Sequence, residues 1–322
     1  MSKNNSINIL VTGGAGFIGS HLVDKLLADG FAVKALDNLS NGKIENLNEA
    51  SAYSSFEFIE GDIRNYATCL QACSGIDVIT HQAALGSVPR SINDPLTSNE
   101  VNVTGTLNIF NAAKENNCQR VVYAASSSTY GDHPGLPKVE DVIGNPLSPY
   151  AVTKYVNELY ARVYGNLYGM EIIGLRYFNI FGPKQNPNGP YAAVIPLFAE
   201  ALIKNTAPVI NGDGSHSRDF TFVDNAVQAN ILSLFTTNKE AVNQVYNIAC
   251  GEQTSLLELF NGLKEQSGSA LNPVHGPDRR GDVKHSLADI SKAKKLLGYN
   301  PSVSVQNGLV KTFAWYKEHS AR

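Results

Sequence analysis

The chain has 322 residues, 43% of them hydrophobic and 17% charged, with a net charge of -3. That is enough for a large core and two lobes, and it offers no basic surface for nucleic acid or an anionic membrane. Four cysteines (Cys69, Cys73, Cys118 and Cys250) are too sparse for a disulfide framework and fit a reducing compartment. No charged-then-apolar leader opens the sequence, and no apolar run reaches the roughly 18 residues of a membrane span, so a cytoplasmic protein is expected.

Residues 7–11 read as a short apolar strand. It enters Thr12-Gly13-Gly14-Ala15-Gly16-Phe17-Ile18-Gly19, and a helix is expected from there to about Gly30. Glycine at positions 13, 16 and 19 permits a tight turn and lets backbone N–H groups approach a pyrophosphate at a helix N-terminus. Gly13, Gly16, Phe17, Ile18 and Gly19 are therefore cofactor candidates. The next strand, 32–36, ends at Asp37, 18 residues past Gly19. That spacing suits the acid that binds both hydroxyls of an adenosine ribose and repels a 2′-phosphate, which favours NAD over NADP. Asn38 follows it into the site.

Strand 56–60 leads to Asp62 and Ile63, placed to meet an adenine, although Asp62 serves equally well as the cap of the next helix. Residues 77–84 form a fourth strand ending in small residues, Ala83 and Ala84, which let the backbone lie along a cofactor, with Gln82 beside them as a further cofactor candidate. His81 within it reads as a buried structural histidine. Gly86, Ser87 and Arg90 sit in the following loop. A long helix is expected from about Pro95 to Asn117, carrying Asn102 as a further cofactor candidate. Strand 120–125 ends at Ser126, Ser127 and Ser128. Alternating strands and helices to residue 177 predict an α/β fold, a doubly wound parallel sheet with ligands at the carboxyl ends of its strands.

Ser148-Pro149-Tyr150-Ala151-Val152-Thr153-Lys154 then opens a helix, with Ser148 as cap and Pro149 in the first turn. Tyr150 and Lys154 fall on one face, one turn apart. A phenol is too weak a base at neutral pH, and an adjacent ammonium lowers its pKa. Bringing that pKa near 7 takes about 4 kcal/mol of differential interaction, within reach of one close cation in a dry site aided by an oxidised nicotinamide.

With these residues in place, the chain resembles the extended short-chain dehydrogenases/reductases. The likeness rests on the glycine loop, Gly61-Asp62-Ile63-Arg64, Ser126 and Tyr150-x-x-x-Lys154, and it runs nearly end to end. Segments 126–130, 148–158, 176–182 and 282–289 make it most similar to nucleotide-sugar 4-epimerases, especially the bacterial UDP-N-acetylglucosamine 4-epimerases. The resemblance implies a Rossmann-type NAD-binding domain (1–178 plus about 222–250) and a smaller α/β UDP-sugar lobe (about 179–221 plus 251–322). It implies Tyr150 as base toward the sugar 4-hydroxyl, Lys154 tuning it, and Ser126, with Ser128, bonding the reacting oxygen. NAD is then retained, not consumed. Residues 126–130 carry no carboxylate of the kind that similar dehydratases and decarboxylases hold there.

In the second half the resemblance places Phe178 near the nicotinamide and Asn179 at the substrate diphosphate or sugar, while Gln185 lies in a polar loop beside the sugar. Ala193 and Val194 join the substrate site, and Val209 and Asn211 flank the uracil. Arg218 and Arg279 grip the diphosphate, as forked guanidiniums do, with Asp282 beside them. Ser286 stands where similar epimerases restricted to plain hexoses carry tyrosine, which leaves room for a 2-acetamido group. Residues 245–249 return as a strand to the main sheet, and Trp315 and Tyr316 read as packing on a terminal helix. No metal site is expected. A homodimer through helices starting near Pro95 and Tyr150 is implied. A UDP-glucose 4-epimerase, a net 4-keto reductase and a silent NAD-binding regulator are the competing readings.

Overall fold

The computed structural model of the chain describes residues 7–187, 192–277 and 284–319. Six strands follow the order read from the sequence: β1 (Asn8–Thr12), β2 (Ala32–Asp37), β3 (Phe56–Glu60), β4 (Val78–His81), β5 (Arg120–Ser126) and β6 (Glu171–Tyr177). A later strand, Val245–Ile248, joins them, giving the spatial order Val245–Ile248, β6, β5, β4, β1, β2, β3. Every pairing in this sheet is parallel. From β1 the chain steps outward to β3, then returns to place β4 on the other side of β1. That reversal opens a crevice at the carboxyl ends of the strands.

The apolar runs are continuous because both faces of the sheet are covered. Ile9, Val11, Val122 and Ile173 face one core, with helices Phe17–Ala28 and Val223–Phe235. Their neighbours Leu10, Val121 and Ile172 face a second core with helices Tyr66–Cys73, Thr106–Glu115 and Pro149–Tyr168. Period-two alternation thus divides each strand between two buried layers. Cys69, Cys73 and Cys118 are free and buried in the second layer, as packing residues.

Two local readings are refined. The helix expected over 95–117 is helical along most of that span but not uniform: Pro95–Asn99 and Thr106–Glu115 are α, and Glu100–Gly105 between them is a wider π turn. Gly105, the last residue of that turn, lies so close to Ile63 that a Cβ there would sit 2.5 Å from its Cδ1. Asp62 does not cap helix Tyr66–Cys73. Asn65 does, accepting from the Thr68 N–H at 3.2 Å.

Helix Pro149–Tyr168 begins and ends where its residues dictate. Ser148 accepts the Ala151 N–H at 3.1 Å, Pro149 fills the first position, and Gly169 closes the helix in the left-handed region at φ 66°. Beyond the main sheet, Ile180–Phe181 pairs with Thr221–Phe222, Ser217–Arg218 with Thr254–Ser255, and Val209–Asn211 with Val274–Gly276. Helices Val194–Ile203, Leu256–Ser267, Ser291–Leu297 and Val305–His319 accompany them. Among the described residues no helix is long and apolar enough to cross a membrane.

Candidate active site

A cleft of about 690 Å³ lies at the carboxyl ends of the strands. Its floor is the turn after β1. Gly13 holds φ 68°, and a Cβ there would sit 2.7 Å from the Ala83 nitrogen. A Cβ on Gly19 would sit 2.0 Å from the Gly13 carbonyl oxygen. Both glycines are therefore required by close backbone approach. Gly16 caps helix Phe17–Ala28 with no side-chain bond, so the first-turn N–H groups remain available to an anion beside the cleft.

Asp37 ends β2 and is 8% exposed. Its Oδ2 accepts the Ala15 N–H at 3.0 Å and its Oδ1 the Leu39 N–H at 2.8 Å. Burial pushes its carboxyl up from the ordinary range, and these backbone donors oppose the shift. Asp62 is held well below that range, at about 2, chiefly by the Arg64 guanidinium, and also accepts from Asn38 Nδ2 at 2.8 Å. A dinucleotide fits these groups: the open N–H donors of the helix terminus suit a pyrophosphate, and the Asp37 carboxylate, an acceptor, suits a ribose diol.

At the far end Ser126, Tyr150 and Lys154 converge. Lys154 is 4% exposed, and its Nζ donates to the Ala124 carbonyl at 2.8 Å. It lies 5.9 Å from the centre of the Tyr150 ring. Burial lowers its pKa to about 8. Tyr150 borders the cleft, but desolvation pushes its phenol up, and the Ser126 hydroxyl opposes the shift. The expected lowering by Lys154 is not what this geometry gives, because the lysine is itself desolvated and bonded to backbone. Ser126 Oγ accepts from both the Ser128 N–H (3.1 Å) and the Ser128 hydroxyl (2.9 Å), which leaves its own proton to donate into the site.

His81 is structural. It is 3% exposed, lies between Thr12 Oγ1 (2.6 Å) and Thr106 Oγ1 (2.9 Å), and is pushed down to about 3 by burial, with Lys154 adding to the shift.

Gly13, Gly16, Phe17, Ile18, Gly19, Asp37, Asn38, Asp62, Ile63, Gln82, Ala83 and Ala84 all line the cleft. So do Gly86, Ser87, Ser126, Ser127, Tyr150, Lys154, Asn179, Gln185 and Ala193. Asn102, Phe178, Ser128, Val194, Val209, Asn211, Arg218 and Ser286 do not. Asn102 is fully buried and bonds both backbone groups of Leu85, and Phe178 packs on Tyr130 in the core. The Arg218 Nη1 donates to the Ser217 and Lys284 carbonyls at 3.0 Å each. The buried Ser286 hydroxyl makes no hydrogen bond among the described residues. Arg279 and Asp282 lie outside those residues.

Trp315, Lys184 and Tyr177 are among the lining residues that carried no site signal in the sequence. Trp315, read there as packing, borders the cleft together with Lys184. Lys184 is anchored on Asp24 Oδ2 (2.6 Å) and the Asn46 carbonyl (3.0 Å). Tyr177 donates to Gln82 Oε1 at 3.0 Å and accepts from Asn230 Nδ2 at 2.7 Å, which fixes the glutamine at the cleft wall.

Residues 9–249 match the NAD dependent epimerase/dehydratase family. The UDP-glucose 4-epimerase of Mycolicibacterium smegmatis is 40% identical over 97% of this chain and 99% of its own length. Among solved structures, the UDP-N-acetylglucosamine 4-epimerase of Methanobrevibacter ruminantium M1, in complex with UDP-N-acetylmuramic acid, is 40% identical. Its TM-score is 0.92, with 97% of this chain and 99% of that one covered. The UDP-glucose 4-epimerase of Thermotoga maritima, with UDP-glucose, is 36% identical, with a TM-score of 0.91 and the same coverage.

Proposed function

Because this chain belongs to the NAD dependent epimerase/dehydratase family, we propose that it interconverts UDP-N-acetylglucosamine and UDP-N-acetylgalactosamine. It is a nucleotide-sugar 4-epimerase that uses NAD. The observation that carries the reaction type is a cleft end holding Ser126, Tyr150 and Lys154 with no carboxylate beside them among the described lining residues. The nearest acids after Ser126 are engaged elsewhere: Asp132 accepts from Asn145, and Glu140 accepts from the Asn247 N–H. Acid–base elimination of water lacks its carboxylates in this stretch.

When bound, NAD supplies a reversible hydride acceptor. Tyr150 takes the proton of the sugar 4-hydroxyl as hydride leaves carbon 4, and returns it to the same oxygen once hydride has come back to the other face of that carbon. Lys154, as ammonium, stabilises the phenolate. Ser126 donates to the reacting oxygen as it becomes carbonyl and then alkoxide. Asp37 holds the adenosine ribose and rejects a 2′-phosphate. The residues outside the main sheet, about 179–221 and 251–322, bind the UDP-sugar, with Arg218 and Arg279 on the diphosphate.

The sugar assignment rests on Ser286. Ser286 lies outside the cleft lining, and its small side chain, whose hydroxyl has no hydrogen-bond partner among the described residues, is proposed to admit a 2-acetamido group. Ser286→Tyr is expected to lower kcat/KM for UDP-N-acetylglucosamine by about 10–100-fold while leaving UDP-glucose turnover within about threefold. Equal loss on both sugars would remove Ser286 from specificity.

Proton NMR of the anomeric signals, without added NAD, tests the whole reading. Faster formation of the galacto product from UDP-N-acetylglucosamine than from UDP-glucose is the expected result. Turnover of UDP-glucose alone overturns the sugar and keeps the reaction. A second copy of the chain is the proposed partner, through the exposed Val152, Leu159, Val163 and Leu167 of helix Pro149–Tyr168. A cytoplasmic location accompanies this reading.

A further inference from the structure

Residues 85–93 leave the end of β4 and border the cleft with Leu85, Gly86, Ser87 and Arg90. The segment is fixed at both ends, and both fixings lead to the backbone of one residue, Tyr150. At the far end, Ser91 sits on the short helix Val88–Asn93 and is 1% exposed. Its Oγ donates to the Val88 carbonyl at 2.8 Å and accepts the backbone N–H of Tyr150 at 3.0 Å. At the near end, Asn102 brackets Leu85, accepting its N–H at 2.7 Å and donating to its carbonyl at 3.1 Å. The same Asn102 donates to Thr153 Oγ1 at 3.2 Å, and Thr153 donates to the Tyr150 carbonyl at 2.8 Å.

We propose that residues 85–93 form a strap that positions Tyr150 for proton transfer, with Ser91 and Thr153 as its positioning residues. Neither side chain lines the cleft, so both act through Tyr150. The proposal rests on the proposed role of Tyr150 as base. Tyr150 stands in the first turn of its helix, where N–H groups have no intrahelical partner. Ser148 satisfies the N–H of Ala151, and Ser91, distant in sequence, satisfies that of Tyr150. A cap supplied from another segment ties the height of the phenol to the position of that segment.

Two further features fit a strap under tension. Ser87 holds φ 92°, a strained conformation for a residue with a side chain, while its Oγ accepts the Arg90 N–H at 3.3 Å. Arg90 Nη2 then reaches across to Asn41 Oδ1 at 3.1 Å, in the loop after β2. The strap therefore joins the cofactor side of the cleft to the first turn of the catalytic helix. A sugar held against Gly86 and Ser87 and the phenol that deprotonates it are carried on one bonded unit.

Ser91→Ala removes the acceptor from the Tyr150 N–H without touching the cleft wall. Turnover in the full-length protein is expected to fall about 10–100-fold, the cost of a small misplacement of a reacting group, with KM and NAD affinity within about twofold. Thr153→Val is expected to give the same pattern. Hydrogen exchange at the Tyr150 amide, read by NMR in wild type and Ser91→Ala, should accelerate at least about tenfold as its cap is lost. Unchanged kcat in both variants overturns the strap, as does unchanged exchange at the Tyr150 amide. A fall in melting temperature with kcat per folded molecule intact also overturns it. If the wild-type protein epimerises no UDP-sugar, the functional reading fails by itself, and the amide exchange still decides whether Ser91 holds Tyr150.

Discussion

Tyr150→Phe is expected to cut epimerisation about 10²–10⁴-fold, the range for removing a positioned acid–base group, while the protein stays folded and keeps its NAD. The substitution retains the ring and its packing and deletes one oxygen. No neighbour can replace that oxygen. His81 is close in sequence to the cleft wall, but it is pinned between Thr12 and Thr106 and pushed down to about 3. Ser126 is adjacent, but a free hydroxyl is a far weaker base than a phenolate. The measurement is the NMR time course used for the wild type, together with NAD content after denaturation. A variant that keeps a tenth of wild-type turnover removes Tyr150 from proton transfer. A variant that loses NAD as well shows a damaged site and calls for Ser126→Ala as the cleaner probe.

The sheet was legible because its strands are short continuous apolar runs, punctuated by Gly13, Asp37, Gly61 and Ser126 at the ends where ligands bind. The glycine loop was legible for a related reason: a Cβ on Gly19 meets the Gly13 carbonyl within the same βα turn, and Gly13 itself holds φ 68°, so both demands are local, although Gly13 also lies against Ala83. What could not be read was set by contacts between distant segments. Gly105 at the end of the π turn is pressed against Ile63, and nothing near residue 105 reports that contact. Trp315 belongs to a helix that looks like packing and becomes a cleft residue only through its place beside Lys184. Ser91 looks like an ordinary loop serine until Tyr150 is set against it. The direction of the Lys154 shift was hidden too, because residue type gives the charge and burial alone gives its cost.

That cost makes the second large expectation one of opposite sign for stability and activity. Lys154→Met is expected to lower turnover about 10²–10⁴-fold by the same acid–base argument, and to stabilise the protein without nucleotide. The folded pKa of Lys154 falls from 10.5 to about 8 through burial, which corresponds to roughly 3 kcal/mol of destabilisation while the lysine is charged. Losing the bond to the Ala124 carbonyl offsets about 1 kcal/mol of that, leaving a net gain of about 2 kcal/mol. The sign follows from proton counts. Between about pH 8 and 10.5 the unfolded chain binds more protons at this site than the folded one, so wild-type stability gains with rising pH. Below about pH 8 both states are charged and the full penalty applies; above 10.5 both are neutral and it vanishes. The stability difference between Lys154→Met and wild type, from urea unfolding at a series of pH values, should be largest at pH 7 and close as pH approaches 10.5. A difference that does not vary with pH would mean that Lys154 is not desolvated as its burial requires. The same burial bears on the proposed role: an ammonium with little water around it stabilises a phenolate far more than one on a surface helix, so the proposed tuning of Tyr150, which this geometry alone does not give, is assigned to the same lysine that destabilises the fold.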